Sequence, residues 1–347
     1  MRVLVVGASG AIGTRLVPQL IARGHEVIGT HRSPGHAGRI RDLGGEPVQV
    51  DLLDQPVVRR TVLAAAPDAI IHQATALTDL RDFKHFDRSF AQTNRLRTEG
   101  TDALLAAARE AGVRRFIAQS FASTLYERSG GPVKTEEDPL DSHPVAAMRE
   151  TVAAMRYLDE TVTNAGGIVL RYGGFYGDSD GLIEAVRRRM FPIVGSGSGV
   201  SSFIHLEDAA AATVLALELD GPGVFNVVDD EPAAVREWLP VLADTLGAKP
   251  PRRVPRWLAR LVAGEAAVVL ATESRGASNA RAKRELGWNL RWPTCAASGA
   301  STAASRRPTD YAPRAPTRCS PPRARPASGT SSPRASRARS MSARAVR

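Results

Sequence analysis

A glycine-rich turn near the N-terminus constrains the fold most strongly. The chain begins MRVLVVGASGAIGTRL, in which an apolar run over 2–6 leads into Gly7, Gly10 and Gly13. The run predicts a buried strand, and apolar side chains over 11–23 recur with the period of a helix. Glycines at this spacing permit a tight turn, close approach of a pyrophosphate to the backbone, and close packing of the helix on the strand. The turn therefore predicts the phosphate-binding end of a dinucleotide site.

Strand-like and helix-like segments alternate beyond this turn. Short apolar runs predict further strands at 26–30, 47–50, 68–73, 114–120, 167–172 and 224–228. Helical periodicity predicts helices near 55–65, 90–111 and 145–164, and within 203–218. Strands separated by helices indicate a parallel sheet that is covered on both faces. The sequence therefore predicts an α/β fold of the doubly wound Rossmann type.

The pattern becomes irregular after residue 172, and we predict two parts within the first 293 residues. Residues 1–172 form a nucleotide-binding Rossmann domain, which is completed by about 203–228. Residues 173–202 and 229–293 form a small C-terminal substrate lobe.

The composition changes abruptly at Thr294. The 54 residues from there onward contain no Leu, Ile, Phe or Trp, and they carry 11 arginines against one acidic residue. A segment with so few apolar side chains cannot bury enough surface to offset its chain entropy, so we predict a disordered basic tail over 294–347. The alternative is a shifted reading frame, because Ala, Pro, Ser and Arg without Lys are what a GC-rich gene encodes out of frame.

The tail accounts for the whole formal net charge of +10, so residues 1–293 are neutral. A neutral body does not favour a nucleic-acid partner. It also contains no cysteine, which argues against a thiolate metal site, and we expect no metal. No apolar run reaches the roughly 18 residues of a membrane span, and no secretory signal is recognised. We therefore expect a cytoplasmic protein that takes a small-molecule substrate and does not bind membranes.

The end of the second strand bears on the choice of cofactor. It reads GTHRSP, which places His31 and Arg32 where NAD sites hold an acidic residue for the ribose 2′-hydroxyl. Arginine can grip a phosphate with two parallel hydrogen bonds. We therefore favour NADP(H) over NAD(H), and the alternative is that both residues are solvated loop positions.

Further motifs follow in a fixed order. They are Asp51 in VDLLD, IIHQATAL at 70–77, Asn94, GVRRFIAQS at 112–120, VLRYGGFYG at 169–177, FIHLEDAA at 203–210, FNVVDDEP at 225–232 and RELGWNLRWP at 284–293. With the glycine turn, these motifs resemble the extended or atypical short-chain dehydrogenase/reductases, the NAD-dependent epimerase/dehydratase family. The resemblance covers about 1–293. It implies hydride transfer between a nicotinamide and a carbonyl, alcohol or sugar-type carbon, and it allows a homodimer.

The resemblance also implies which residues hold the cofactor. Together with the glycine turn, the expected contacts are Gly7, Ser9, Gly10, Ala11, Ile12, Gly13, His31, Arg32, Asp51, Leu52, Ala74, Thr75, Ala76, Asn94 and Ser120. Asp51 and Leu52 would contact the adenine, and 74–76 would line the path to the nicotinamide ribose. Asn94 would brace the long helix and the site.

The catalytic pair of this family is missing. The family uses Tyr-x-x-x-Lys on the helix after the fifth strand, where the tyrosine transfers a proton and the lysine lowers its pKa. The chain has four lysines, none of them four residues after a tyrosine. Alignment of that helix puts Thr151 and Met155 in the two places. Ser123 and Tyr126 remain as candidate catalytic residues, with Tyr126 as a substitute proton donor, although Tyr126 is also explained by packing in its loop.

The sequence therefore leaves more than one function open. The first is an NAD(P)-dependent oxidoreductase or epimerase/dehydratase-like enzyme with non-standard catalytic residues. The alternative is a catalytically silent NADP(H)-binding sensor or interaction protein, which the missing pair would explain. A frameshifted product without function is a third interpretation, which rests on the tail alone.

Overall fold

The structure is a computed structural model that describes residues 1–77, 82–122, 126–177 and 180–294. Two predictions lie outside these ranges, namely the disordered tail beyond Thr294 and the catalytic role of Ser123. Within these ranges, no helix is long and apolar enough to cross a bilayer.

Strands and helices alternate as the sequence predicts. The strands are β1 (Arg2–Val6), β2 (Glu26–His31), β3 (Glu46–Gln49), β4 (Ala69–His72), β5 (Arg115–Phe121), β6 (Val133–Lys134), β7 (Ile168–Tyr172), β8 (Gly174–Tyr176), β9 (Ile193–Val194), β10 (Val200–Ser201), β11 (Phe203–His205), β12 (Gly223–Val227), β13 (Ala233–Ala234), β14 (Arg253–Val254) and β15 (Gly276–Ala277). The helices are α1 (Gly13–Ala22), α2 (Ala37–Asp42), α3 (Gln55–Ala65), α4 (Phe86–Arg95), α5 (Thr101–Glu110), α6 (Arg149–Asn164), α7 (Asp180–Arg187), α8 (Leu206–Ala216), α9 (Val235–Thr245), α10 (Arg256–Thr272) and α11 (Ala280–Leu286).

Seven of the strands form one parallel sheet. Their order across the sheet is β3-β2-β1-β4-β5-β7-β12, and every neighbouring pair is parallel. The strand order reverses between β1 and β4. In open α/β sheets, ligands bind in the crevice beyond the carboxyl ends of the strands at such a reversal.

The sheet is buried on both faces because its central strands are apolar throughout. In β1, Val3 and Val5 pack in the cluster that contains α1 and α8, whereas Leu4 and Val6 pack in the cluster that contains α3 and α5. Each such side chain contributes roughly 1.5–3 kcal/mol when it leaves water. A continuous apolar strand with helices on both sides is typical of a parallel sheet. The predicted fold class is confirmed.

Two details differ from the predicted elements. The helix expected over 90–111 begins at Phe86, and a π-helical turn over Leu96–Gly100 joins α4 to α5. Short strand pairs occur within the proposed lobe, namely β10 with β13 and β9 with β14, and β8 of the lobe pairs with β11 of the segment 203–228. Strands of two or three residues carry no periodic signal, which is why the sequence did not reveal them. The division into a Rossmann domain and a lobe stays a prediction.

Candidate functional site

A cleft of about 490 Å³ opens at the carboxyl ends of β1, β2 and β4. It coincides with the reversal of strand order. Thirteen of the fifteen predicted cofactor contacts line it, namely Gly7, Ser9, Gly10, Ala11, Ile12, Gly13, His31, Arg32, Asp51, Leu52, Ala74, Thr75 and Ala76. The fold therefore brings three further segments of the chain, 31–32, 51–52 and 74–76, next to the glycine turn.

The floor of the cleft is formed by the backbone of the glycine turn, where two of the three glycines leave no room for a side chain. Gly7 has φ +87°, and a Cβ there would lie 3.0 Å from the Ala74 Cα. A Cβ on Gly13 would lie 2.5 Å from the carbonyl oxygens of both Gly7 and Ala8. A Cβ on Gly10 would meet only the Gly7 carbonyl oxygen, at 3.2 Å. Gly7 and Gly13 are thus required by the fold, whereas Gly10 leaves backbone open to a ligand.

The N-terminal end of α1 offers donors to an anion. In the described part of the chain, no acceptor meets the backbone N–H groups of Ala11 and Ile12, which directly precede α1. Such groups carry the positive end of the helix dipole and bind phosphates. The residues present therefore fit a pyrophosphate.

One end of the cleft presents cationic and polar groups. Arg32 is exposed there, and Ser9 Oγ lies 3.1 Å from His36 Nδ1. His31 lines the cleft but is buried, and its Nδ1–H donates to the Ser33 carbonyl at 2.9 Å. His31 therefore supports the turn more than it offers a free donor. His36 was missed because it sits on a short 3₁₀ turn without a periodic pattern.

A directed chain of hydrogen bonds runs from the cleft into the core. Gln73 lines the cleft, and its Nε2 donates to the Tyr172 hydroxyl at 3.2 Å. Thr213 donates to the Ala209 carbonyl, so the Tyr172 hydroxyl donates to Thr213 Oγ1 at 2.6 Å. Burial raises the pKa of Tyr172 to about 12. The Tyr172 proton is therefore held inside the protein and does not serve the cleft.

A buried histidine shapes the loop beside the cleft. The Ala74 N–H donates to His72 Nδ1 at 3.4 Å, and His72 Nε2–H donates to the Leu96 carbonyl at 3.3 Å. Burial lowers the pKa of His72 from 6.5 to about 4. The neutral imidazole thereby ties the loop that follows β4 to the π-helical turn.

The place expected for the family tyrosine is closed. Thr151 is buried, and its hydroxyl accepts from Asn94 Nδ2 at 3.1 Å and donates to Asp87 at 2.7 Å. The same carboxylate caps α6 by accepting from the N–H groups of Glu150 and Thr151. Asn94 therefore connects α4 to α6, and neither Asn94 nor Ser120 lines the cleft. Direct contact of these two residues with a cofactor is not supported by this geometry.

The place expected for the family lysine is apolar. Met155 is 1% exposed and packs in a cluster with Phe86, Phe90, Met148, Val152 and Val269. Met155 has no ammonium with which to lower the pKa of a neighbouring acid. The side chains at these two positions, Thr151 and Met155, therefore cannot act as the tyrosine and lysine of the family.

Tyr126 lies away from the cleft. Its hydroxyl donates to Asn226 Oδ1 at 2.7 Å and accepts from Arg171 Nη1 at 2.9 Å. Arg171 in turn pairs with the buried Asp159 at 2.8 Å. Burial raises the pKa of Tyr126, which keeps its proton bound. The geometry favours a structural role for Tyr126, and its role as a proton donor stays an unsupported prediction.

Comparisons with known proteins agree with the fold. The model of the NAD dependent epimerase/dehydratase family matches residues 3–227. A Streptomyces protein named 3-diazoavenalumate denitrifying reductase is 42% identical over 85% of this chain and 97% of its own length. A ketoreductase of a farnesyl quinoline oxide from Stigmatella aurantiaca is 32% identical over 72% of this chain and 74% of its own length.

A solved structure shares the fold. A human epimerase family protein, solved with NADPH, superposes with a TM-score of 0.67 at 23% identity, covering 88% of this chain and 100% of that one. The family match and the named reductases among the relatives make this chain an NAD(P)-dependent oxidoreductase or epimerase-like enzyme. The chain belongs to the NAD-dependent epimerase/dehydratase family.

Proposed function

We propose that this enzyme is an NADP(H)-dependent reductase whose substrate needs no proton from the protein. The substrate class is an aromatic diazo compound, which is reduced with loss of N₂. The observation that carries the proposal is the burial of Thr151 and Met155, the two positions expected for the proton relay of the family: Thr151 is bonded to Asn94 and Asp87, and Met155 lies in an apolar cluster.

The proton balance distinguishes the substrate classes. A carbonyl carbon that accepts a hydride leaves an alkoxide, which must be protonated, so a carbonyl reductase needs an acid in its site. A diazonium carbon that accepts a hydride loses its bond to nitrogen: R–N₂⁺ + H⁻ → R–H + N₂. The positive charge of the substrate is neutralised by the hydride itself, and no proton enters. An enzyme for this reaction has no use for a Tyr-x-x-x-Lys pair.

The similar Streptomyces protein supports this class. Its name states that it removes nitrogen from a 3-diazo compound by reduction, and the 42% identity extends over 97% of its length. We propose that the present chain acts on the same class of substrate, a diazo compound that is reduced with loss of nitrogen.

The cleft residues would hold the cofactor. Arg32, Ser9 and His36 would bind the 2′-phosphate, because together they offer a guanidinium, a hydroxyl and an imidazole at one end of the cleft. The N–H groups of Ala11 and Ile12 would bind the pyrophosphate. When bound, the reduced nicotinamide supplies the hydride.

The neighbouring loop would hold the other half of the cofactor. Ala74, Thr75 and Ala76 would line the nicotinamide ribose, on the β5 and β7 side of the glycine turn. Gln73 keeps this loop attached to the core through its bond to Tyr172. The loop is thereby fixed in position while the substrate enters.

Turnover measurements test the proposal. We expect NADPH oxidation and N₂ release in equal amounts with an aryl diazonium salt, and no oxidation with the matched aryl ketone, aldehyde or sugar nucleotide. The Tyr126→Phe variant should retain the diazonium activity, because among the residues that the structure describes the Tyr126 hydroxyl bonds to Asn226 and Arg171 and not to a group of the cleft. Ketone reduction that is lost in Tyr126→Phe would overturn the proposal. NADPH binding without reduction of any compound would instead favour the catalytically silent binding protein.

A further inference from the structure

One helical segment of the structure leaves an apolar face uncovered. Helix α10 is interrupted at Gly264, where φ is 87° and ψ is 175°, so that Arg256–Ala263 forms a separate helical piece. On this piece Trp257, Leu261 and Val262 are 68%, 67% and 70% exposed. Trp257 and Leu261 are one helical turn apart and lie side by side. Large apolar side chains that are exposed together mark an interaction surface.

Basic residues lie beside the exposed apolar surface of Trp257, Leu261 and Val262, which we call the Trp257 face. Residues 249–263 contain five Lys and Arg residues and no Asp or Glu. Arg256 and Arg260 lie one turn apart beside Trp257 and Leu261, and they pair with Glu273 and Glu265, respectively. The other three basic residues are Lys249, Arg252 and Arg253, which precede the helix and are exposed. In the described ranges, none of these three forms an ion pair.

The cation excess is local. Residues 1–293 carry equal numbers of basic and acidic side chains, so this short stretch stands out from a neutral body. A short helix with an exposed apolar face and basic residues beside it has the composition of a segment that lies in a membrane interface. Tryptophan favours the same headgroup region, because its ring is apolar and its N–H is polar.

The segment is firmly attached to the rest of the fold. A Cβ on Gly264 would lie 2.7 Å from the Lys84 Cα, so the interruption in α10 packs directly against the backbone before α4. Beyond it, Ala266 and Val269 pack with Phe86. The Trp257 face is therefore presented outward by an anchored helix.

We propose that residues 249–263 form a peripheral docking site for an anionic lipid surface. Trp257, Leu261 and Val262 enter the headgroup region, and the cations contact lipid phosphates. Charge favours this occupant over a second copy of the chain, because a two-fold contact through this face would bring Lys249, Arg252 and Arg253 together with their own counterparts. The site does not depend on the proposed function, and it departs from the sequence-based expectation that the protein does not bind membranes, because the exposed face at Trp257, Leu261 and Val262 becomes evident only in the structure.

Vesicle binding by the full chain tests the proposal. Sedimentation is measured with vesicles of phosphatidylcholine alone and of phosphatidylcholine mixed with phosphatidylglycerol. The variants are Trp257→Ala/Leu261→Ala and Arg252→Glu/Arg253→Glu, and Met190→Ala removes an apolar side chain that is 59% exposed elsewhere. Every variant keeps the arginine-rich C-terminal segment, so differences among them report on residues 249–263 and not on that segment. NADPH affinity and thermal unfolding should be unchanged in all of them.

We expect binding to the anionic vesicles only, with roughly tenfold or greater weakening in both double variants and none in Met190→Ala. Brominated lipid should quench tryptophan emission in the wild type and much less in Trp257→Ala/Leu261→Ala. Equal vesicle binding by the wild type and that variant would assign the binding to the C-terminal arginines and overturn the proposal. A change of oligomeric state in that variant without a change in vesicle binding would overturn it in favour of a contact between copies.

Discussion

Restoring the family pair at Thr151 and Met155 should unfold the protein instead of creating a carbonyl reductase. The perturbation is the double variant Thr151→Tyr/Met155→Lys. Both positions are 1% exposed, and neither lines the cleft. The new groups would therefore enter the core between α4 and α6.

The magnitude follows from three losses. A lysine among Phe86, Phe90 and Val269 would be buried without a partner, which costs several kcal/mol unless it loses its proton. A tyrosine in place of Thr151 overfills its site, at about 1–3 kcal/mol. The Asn94 amide loses its acceptor, which costs about 1–3 kcal/mol. The sum is about 5 kcal/mol or more, which is comparable to the whole stability of a typical domain.

Urea unfolding followed by circular dichroism is the assay. We expect the double variant to be largely unfolded without urea, or to unfold at a much lower midpoint than the wild type. Met155→Leu is the matched control, because it keeps the cluster apolar and should cost less than about 1.5 kcal/mol. A double variant with the wild-type midpoint and new ketone reductase activity would refute the closed environment described here.

Three further predictions concern the cleft and the buried histidine beside it. Gly13→Ala should lower the melting temperature and abolish NADPH binding, because its Cβ would lie 2.5 Å from two carbonyl oxygens, whereas Gly10→Ala should weaken only NADPH binding; equal melting temperatures for the two variants would contradict this. Arg32→Ala should weaken NADPH binding roughly tenfold or more and leave NADH binding unchanged, as measured by fluorescence titration; equal weakening of both would exclude a 2′-phosphate contact. Burial lowers the pKa of His72 from 6.5 to about 4, so below pH 6.5 the unfolded chain binds a proton that the folded protein does not. The free energy of unfolding should therefore be about 2 kcal/mol lower at pH 5 than well above pH 6.5. His72→Asn should therefore show a shallower loss of stability between pH 7 and pH 5, and an unchanged slope would contradict that pKa.

The central sheet was predictable because its strands are buried on both faces. The runs at 2–6 and 167–172 correspond closely to β1 and β7, since a parallel strand between two helical layers must be apolar along its whole length. The start of α4 at Phe86 was harder to predict from the sequence, because the first turn of this helix mixes charged and aromatic residues. Strands as short as β13 form only through pairing with distant residues, which leaves no local signal.

The candidate site was predictable where backbone geometry selects the residue type. Gly7 and Gly13 follow from a positive φ and a close contact, which no other residue satisfies. His36 and Gln73 reach the cleft through a turn and a buried bond to Tyr172, and neither depends on a sequence period. The displacement of Asn94 from the cleft also depends on tertiary structure, because its partner Thr151 is 57 residues away.

The central claim is that the hydride alone completes the reaction and no proton enters from the protein. The most direct measurement uses NADPH deuterated at the transferable position of the nicotinamide, an aryl diazonium substrate and ordinary water. The proposal predicts one deuterium in the product at the carbon that carried the nitrogen, with N₂ released in equal amount. A product that carries solvent hydrogen at that carbon, or deuterium transfer to a matched ketone but none to the diazonium compound, would contradict it.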